Sequence, residues 1–221
     1  MNADPLDRVA AIPWFARQPD ARRDALIRAG RLSRRGTGEW MHGEGDEETG
    51  VLAVVDGALK LYGQAPGGRE ALIGLLPPGT VIGQSAAFGG GPRIVTAITA
   101  APSLIFTLSD SALRRVAAVH PDLWESLTAL VYGQLRINAQ VVAEFVALKP
   151  RERLVSRLLQ MAAASNGEIA IAQADLAEMI GVTRKAVNGW LGGLEAAGFV
   201  RRGYGVIRVL DAGRLERMLE G

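Results

Sequence analysis

Residues 172–194, AQADLAEMIGVTRKAVNGWLGGL, constrain this chain more than any other stretch, because their apolar spacing reads as two short helices joined by a tight turn. The first helix carries Leu176, Ala177, Met179 and Ile180 on its apolar face. Gly181 follows, where a left-handed backbone is cheap only for glycine. Val182 plugs the turn, and Thr183 is a good N-cap for the second helix. On a wheel of about 100° per residue, Val187, Trp190, Leu191 and Leu194 fall on one arc and are expected to be buried. Arg184, Lys185 and Asn188 fall on the other, near the helix start, with only small residues (Gly189, Gly192) around them.

Long donor side chains at a helix start, on a face otherwise kept bare, suit the major groove of double-stranded DNA. Arg forks onto guanine, Asn onto adenine, and Lys reaches a phosphate or base. The plainer alternative is a solvated face in an ordinary helical bundle, but residues 199–209 argue against it. After Gly198, a C-cap, two alternating runs flank Gly203-Tyr204-Gly205 and predict a β-hairpin. Helix-turn-helix followed by a basic hairpin is a winged helix, with Arg201, Arg202 and Tyr204 where a wing meets the phosphate backbone. Gln173, at the start of the first helix, and Thr183 complete the candidate DNA-contacting set with Arg184, Lys185 and Asn188.

At 221 residues the chain is long enough for two domains with real cores. A formal net charge of +2 is too small to demand a polyanion partner, but it is unevenly spread. Residues 149–221 hold 11 Lys/Arg against 8 Asp/Glu, which leaves the rest slightly acidic. The absence of cysteine removes disulfides, thiolate zinc sites and cysteine-bound iron–sulfur clusters. MNADPLDRVA lacks an apolar signal core and no run approaches a membrane span, so a cytoplasmic protein is expected.

Taken in order, residues 4–32 predict a short helical lead-in, with Asp20 capping a helix that bears Ala25, Leu26, Ile27 and Leu32. From Arg34 to about Leu108, short apolar runs such as Val51–Val55 and Ala58–Tyr62 alternate with glycines, the pattern of a barrel or jelly roll. Asp110–Val119 predicts one helix, ended by His120-Pro121, and Pro121–Leu148 a long one. In the long helix Leu127, Leu130, Gln134, Ile137, Val141 and Leu148 follow seven-residue spacing, and Val131, Leu135, Val142 and Phe145 form a second stripe. One stripe can pack on the roll while the other meets a partner helix, which predicts a homodimer rather than a monomer with one wide core-facing stripe. Lys149-Pro150 breaks the helix and marks a hinge. Arg151–Ala164 then predicts an amphipathic helix with Leu154, Leu158, Leu159 and Met161 inward. The expected domains are a sensor roll over 1–120, a dimerisation helix over 121–148 and a DNA-binding domain over 149–221.

Other chemistry is poorly supported. His42 and His120 are the only histidines, lack neighbours at metal spacing, and read as surface or loop residues. Gly89-Gly90-Gly91 lacks the Gly-Lys-Ser/Thr of a nucleoside-triphosphate loop. No Ser-His-Asp or Cys-His constellation is present, so no enzyme is expected. Trp14, Trp40 and Trp124 read as core residues.

A glycine-rich roll, a long central helix and a C-terminal winged helix, in that order, resemble the Crp/Fnr family of bacterial transcription regulators over almost the whole chain. The residues that carry the resemblance are Gly43-Glu44-Gly45-Asp46, Val55-Asp56-Gly57, Pro121-Asp122, Asp175-Leu176-Ala177 and Thr183-Arg184. It implies an α+β fold: an N-terminal cyclic-nucleotide-binding-like jelly roll, a long dimerisation helix and a C-terminal winged helix-turn-helix. It also implies a homodimer on two DNA half-sites and contact with RNA polymerase.

The family's roll often binds cyclic AMP through a short cassette, matched here by residues 83–95. Backbone N–H groups and one Arg hold the cyclic phosphate, while a carboxylate accepts the ribose hydroxyl. Gly83, Ser85 and Arg93 fit that cassette, and Arg93 matches the phosphate-binding Arg. The family's glutamate is Gln84 here, and the Ser or Thr after the Arg is Ile94. In the long helix, Asn138 and Ala139 stand where the cyclic-AMP sensors place two hydroxyl residues. These departures favour another small-molecule effector, or none, over cyclic AMP. The alternative is an activator that responds to cyclic AMP or cyclic GMP. Lys185 and Gly189 likewise replace the family's usual Glu and second Arg, so a different operator sequence is expected. Two further readings are a constitutive DNA-binding protein whose roll only supports dimerisation, and a cyclic-nucleotide module whose output is protein contact; the Arg184/Lys185/Asn188 face argues against the latter.

Overall fold

The computed structural model describes residues 4–84, 90–165 and 167–220. They form two compact units, 1–137 and 138–221. The division falls inside one long helix.

The first unit begins with three short helices, α1 (Pro5–Ala10), α2 (Pro13–Ala16) and α3 (Asp20–Ala29). Eight strands follow: β1 (Arg31–Arg35), β2 (Trp40–His42), β3 (Gly50–Asp56), β4 (Leu59–Ala65), β5 (Arg69–Leu76), β6 (Val81–Gln84), β7 (Thr96–Thr99) and β8 (Ser103–Ser109). They make two antiparallel four-stranded sheets, ordered β1-β8-β3-β6 and β2-β7-β4-β5. The unbroken apolar run of β3 follows from burial on both faces. Val51, Ala53 and Val55 enter a core shared with Val9, Phe15 and Leu26 of the helices, while Leu52 and Val54 enter a second core with Leu59 and Ile105. Strand β8 divides the same way, with Leu104, Phe106 and Leu108 in the first core and Ile105 in the second. Helix α4 (Asp110–Val119) closes the first core with Ala112, Leu113 and Val116, and its N-cap Ser109 accepts from the Ala112 N–H.

Helix α5 (Leu123–Ala147) starts as part of this unit. Leu123 and Leu127 are buried in the first core, Trp124 and Leu130 pack against it, and the Gln134 side chain donates to the Val81 carbonyl at 3.2 Å. The second apolar stripe is exposed: Val131, Leu135, Val142 and Phe145 are open, as are Tyr132, Ile137 and Val146.

The second unit holds the end of α5, then α6 (Pro150–Ala164), β9 (Glu168–Ala170), α7 (Gln173–Met179), α8 (Arg184–Ala196), β10 (Val200–Gly203), β11 (Val206–Val209) and α9 (Ala212–Arg217). Its sheet runs β10-β11-β9. Helix α6 lies against β9, β11 and α9, and α7 against α8. Leu154, Val155, Leu158, Leu176, Ile180, Val187, Leu191, Leu194, Ile207 and Leu215 are all buried.

Several local expectations need correction. Helix α3 ends at Ala29, so Leu32 belongs to β1, and Pro19 rather than Asp20 is the N-cap. Asp20 pairs instead with Arg23, one helical turn on. Trp40 is 58% exposed, because it sits at an outer position of β2. His42 is buried, in contrast to the surface or loop position expected for it. Trp190 is half-buried, at the margin of the α8 apolar arc. The strand β9 and the helix α9 have no clear signal in the apolar pattern.

Candidate nucleic-acid interface and ligand pocket

The turn between α7 and α8 is a Schellman motif. Gly181 has φ +71°, the Val182 N–H reaches the Ala177 carbonyl, and the Gly181 N–H reaches that of Glu178. Thr183 then caps α8, its hydroxyl accepting from the Ala186 N–H at 3.2 Å. The far end of α8 closes the same way at Gly198, φ +75°, with Phe199 N–H to the Leu194 carbonyl. Between these stops Val187, Leu191 and Leu194 are buried and Arg184, Lys185, Asn188 and Gly189 are exposed.

Three glycines inside α8 each cost about 1 kcal/mol relative to Ala. Packing does not require two of them: a Cβ built on Gly189 or Gly193 meets nothing within 4 Å. The bare strip beside Arg184 and Asn188 is therefore free space, open to a close external surface.

The hairpin forms as expected, with Gly203 opposite Val206 and Gly205 at φ +68°. Arg201 and Tyr204 are exposed. Arg202 is engaged within the unit. Its backbone N–H and Nε each donate to Glu195 at 2.7 Å, and one terminal nitrogen lies 3.0 Å from Asn188 Oδ1. These hydrogen bonds, the backbone one first, hold the Glu195 carboxyl below the usual range. Arg202 and Asn188 are thus brought together, while Arg184 and Lys185 share the first turn of α8. Gln173 is half-buried at the start of α7.

The ligand candidates are dispersed. Gly83 pairs with Val51 in the ladder, and a Cβ there would lie 2.7 Å from the Val51 side chain, so strand packing alone requires glycine. Gln84 ends β6 opposite Gly50. Ser85 lies outside the described residues. Arg93 is 9% exposed and faces inward: its Nε donates to the Glu48 carbonyl at 3.1 Å and Nη1 to that of Gly50 at 3.0 Å. Burial lowers its pKa from the usual arginine value, opposed by Asp110, Asp46 and Glu48. Ile94 is 68% exposed. Asn138 and Ala139 are exposed on α5 within the second unit.

Beside Arg93 stands His42, whose ring nitrogens make no hydrogen bond of good geometry among the described residues. Burial, then the Arg93 charge, hold its pKa down at about 4, against smaller opposing effects from the Val95 backbone and Asp46. No group of three or more His, Cys, Asp or Glu among the described residues is arranged to hold a metal. None of their helices is long and apolar enough to cross a membrane.

Sequence reasoning missed a buried polar cluster at the α5–α6 joint. Glu144 accepts from Ser156 at 2.8 Å, Gln160 at 2.5 Å and Gln140 at 3.2 Å, with Arg157 at 3.7 Å. Its one available signal was an acid within the apolar half of a helix. The Glu195–Arg202 tie, which spans Gly198, left none.

Comparison with known proteins finds two matching families. Residues 35–120 match the cyclic nucleotide-binding domain family and residues 152–218 the Crp-like helix-turn-helix domain family. A CRP-like cAMP-activated global transcriptional regulator of Mycobacterium tuberculosis is 26% identical over 188 residues, covering 81% of this chain and 84% of that protein. A cyclic AMP receptor protein of Thermus thermophilus is 26% identical over 180 residues, covering 80% and 83%. The solved structure of FixK2 from Bradyrhizobium japonicum superposes with a TM-score of 0.76 at 23% identity, covering 85% of this chain and 96% of that one.

Proposed function

Because the chain belongs to the Crp/Fnr family of DNA-binding transcription regulators, we propose that it works in the cytoplasm as a homodimer that reads two DNA half-sites through α8. The observation that carries this reading is the first turn of α8, where Arg184, Lys185 and Asn188 stand exposed over a fully buried Val187 and beside open space at Gly189. The exposed apolar stripe of α5 is the proposed seam between the two copies. Contact with RNA polymerase belongs to the same reading. Selection of the full-length protein against a randomised duplex library tests it. Two related half-sites about one helical turn apart are expected, and recovery of unrelated sequences would reject it.

The roll is proposed to answer to an effector other than cyclic AMP, or to none. Arg93 spends two donors on backbone carbonyls, and Ile94 offers no hydroxyl to a phosphate. A second reading, a cyclic-nucleotide-responsive activator, is favoured by the names of the two curated relatives, a cAMP-activated regulator and a cyclic AMP receptor protein. Calorimetric titration with cyclic AMP and cyclic GMP, beside an operator-binding assay, separates the two. Micromolar cyclic-AMP binding that raises DNA affinity more than about tenfold, a coupling of roughly 1.4 kcal/mol, would establish the second.

A further inference from the structure

Glu195, Arg202 and Asn188 form a relay that links the hairpin to the exposed face of α8. Glu195 takes the Arg202 backbone N–H on one carboxylate oxygen and Nε on the other, each at 2.7 Å. With the guanidinium fixed at that edge, Nη1 reaches back to Asn188, 3.0 Å from Oδ1 and 3.4 Å from the backbone oxygen. The group passes over Gly192, where a Cβ would lie 3.8 Å from both terminal nitrogens.

A guanidinium carries donors only, so the Asn188 amide must turn its oxygen toward Arg202 and its NH2 away. The amide oxygen has two lone pairs, and the guanidinium takes one of them. The other stands beside a cation and is a poorer acceptor for adenine N6, which weakens the acceptor–donor pair with which asparagine reads adenine N6 and N7. Two N–H donors remain. They match the adjacent N7 and O6 acceptors of guanine.

We propose that Arg202 is a specificity-determining positioning residue, which holds the Asn188 amide as a donor so that each half-site carries guanine, not adenine, where Asn188 reads. The inference rests on α8 being the helix that reads DNA. It reverses the adenine pairing expected for an unconstrained asparagine at this position.

The test is selection on randomised DNA duplexes by the full-length protein, run in parallel for wild type, Asn188→Ala, Arg184→Ala, Glu195→Gln and Arg202→Met. Wild type is expected to prefer guanine at a position that Asn188→Ala flattens. Arg202→Met, which keeps much of the length of the side chain and removes its donors, should raise the adenine-to-guanine ratio there by about tenfold. Glu195→Gln should give a smaller shift in the same direction, and it carries the comparison if Arg202→Met fails to fold. A merely structural role for Arg202 would lower affinity for every sequence and leave the chosen base alone. Adenine at the wild-type position, or an unchanged ratio in a folded Arg202→Met or Glu195→Gln protein, overturns the inference. So does an Asn188→Ala selection identical to wild type when Arg184→Ala alters it. If neither Arg184→Ala nor Asn188→Ala alters the selected sequence, the assignment of α8 falls as well.

Discussion

Glu144 accepts a hydrogen bond from the Ser156 hydroxyl at 2.8 Å, which ties the last turns of α5 to the second turn of α6. The carboxylate is 7% exposed and Arg157, also buried, stands 3.7 Å from its second oxygen. Burial lowers the Arg157 pKa and Glu144 opposes that shift, so each charge needs the other. The joint before Pro150 is therefore clasped by side chains.

Removing one partner of such a buried pair strands the other. Glu144→Ala should destabilise the second unit by about 3 kcal/mol, and Ser156→Ala by about 1 kcal/mol. Urea unfolding followed by amide exchange in α6 would measure both. Equal, small effects from the two substitutions would show that the cluster is solvated.

Acid should weaken the roll through His42. Its pKa in the folded chain is about 4, against 6.5 for the free side chain. The unfolded chain therefore binds a proton first, and stability present above pH 6.5 is lost as the pH falls toward 4. The full loss is on the order of 3 kcal/mol. His42→Leu should flatten the thermal midpoint between pH 7 and pH 4.5. A parallel decline in wild type and variant would assign the acid sensitivity elsewhere.

Charging the open stripe of α5 should separate the copies. Leu135→Glu with Val142→Glu should sediment near 23.4 kDa, and wild type near twice that. Leu130 is unsuitable for this test, since it packs on the core of its own roll. A wild-type monomer at micromolar concentration would rule out the proposed seam.

Base reading and phosphate contact should come apart in α8 and the hairpin. Arg184→Ala should cost roughly 1–3 kcal/mol per half-site and relax base preference. Arg201→Ala should weaken all sequences alike and reduce the salt slope by about one per half-site. Retention of both affinity and preference in Arg184→Ala would remove that side chain from the interface.

What the sequence disclosed best was local. The stop of α7 at Gly181, the stop of α8 at Gly198, the α8 cap at Thr183 and its two arcs depend on residues a few positions apart, and the structure has them as expected, Trp190 at the margin aside. What it hid depends on distant pairing. Strand β9 exists because Ile169 lies opposite Ile207, and three residues carry too little periodicity to show it. Trp40 and His42, two apart, would share a face in a regular strand, but the pairing of β2 with β7 is irregular between them, and this leaves Trp40 exposed and His42 buried. The inward turn of Arg93 likewise follows from carbonyls near the start of β3, more than forty residues away.

Two left-handed glycines bracket the thirteen residues of α8. Such a helix can neither slide nor lengthen: one inserted residue would swing everything beyond it by about 100° and carry Leu191 and Leu194 out of the core. A descendant of this protein can acquire a new target only by exchanging side chains in place. Gly189 and Gly193 are then more than a thin surface. A Cβ added at either position meets no atom within 4 Å, and the residue gains helix propensity, so both are vacant letters in which a new recognition code could begin to be written.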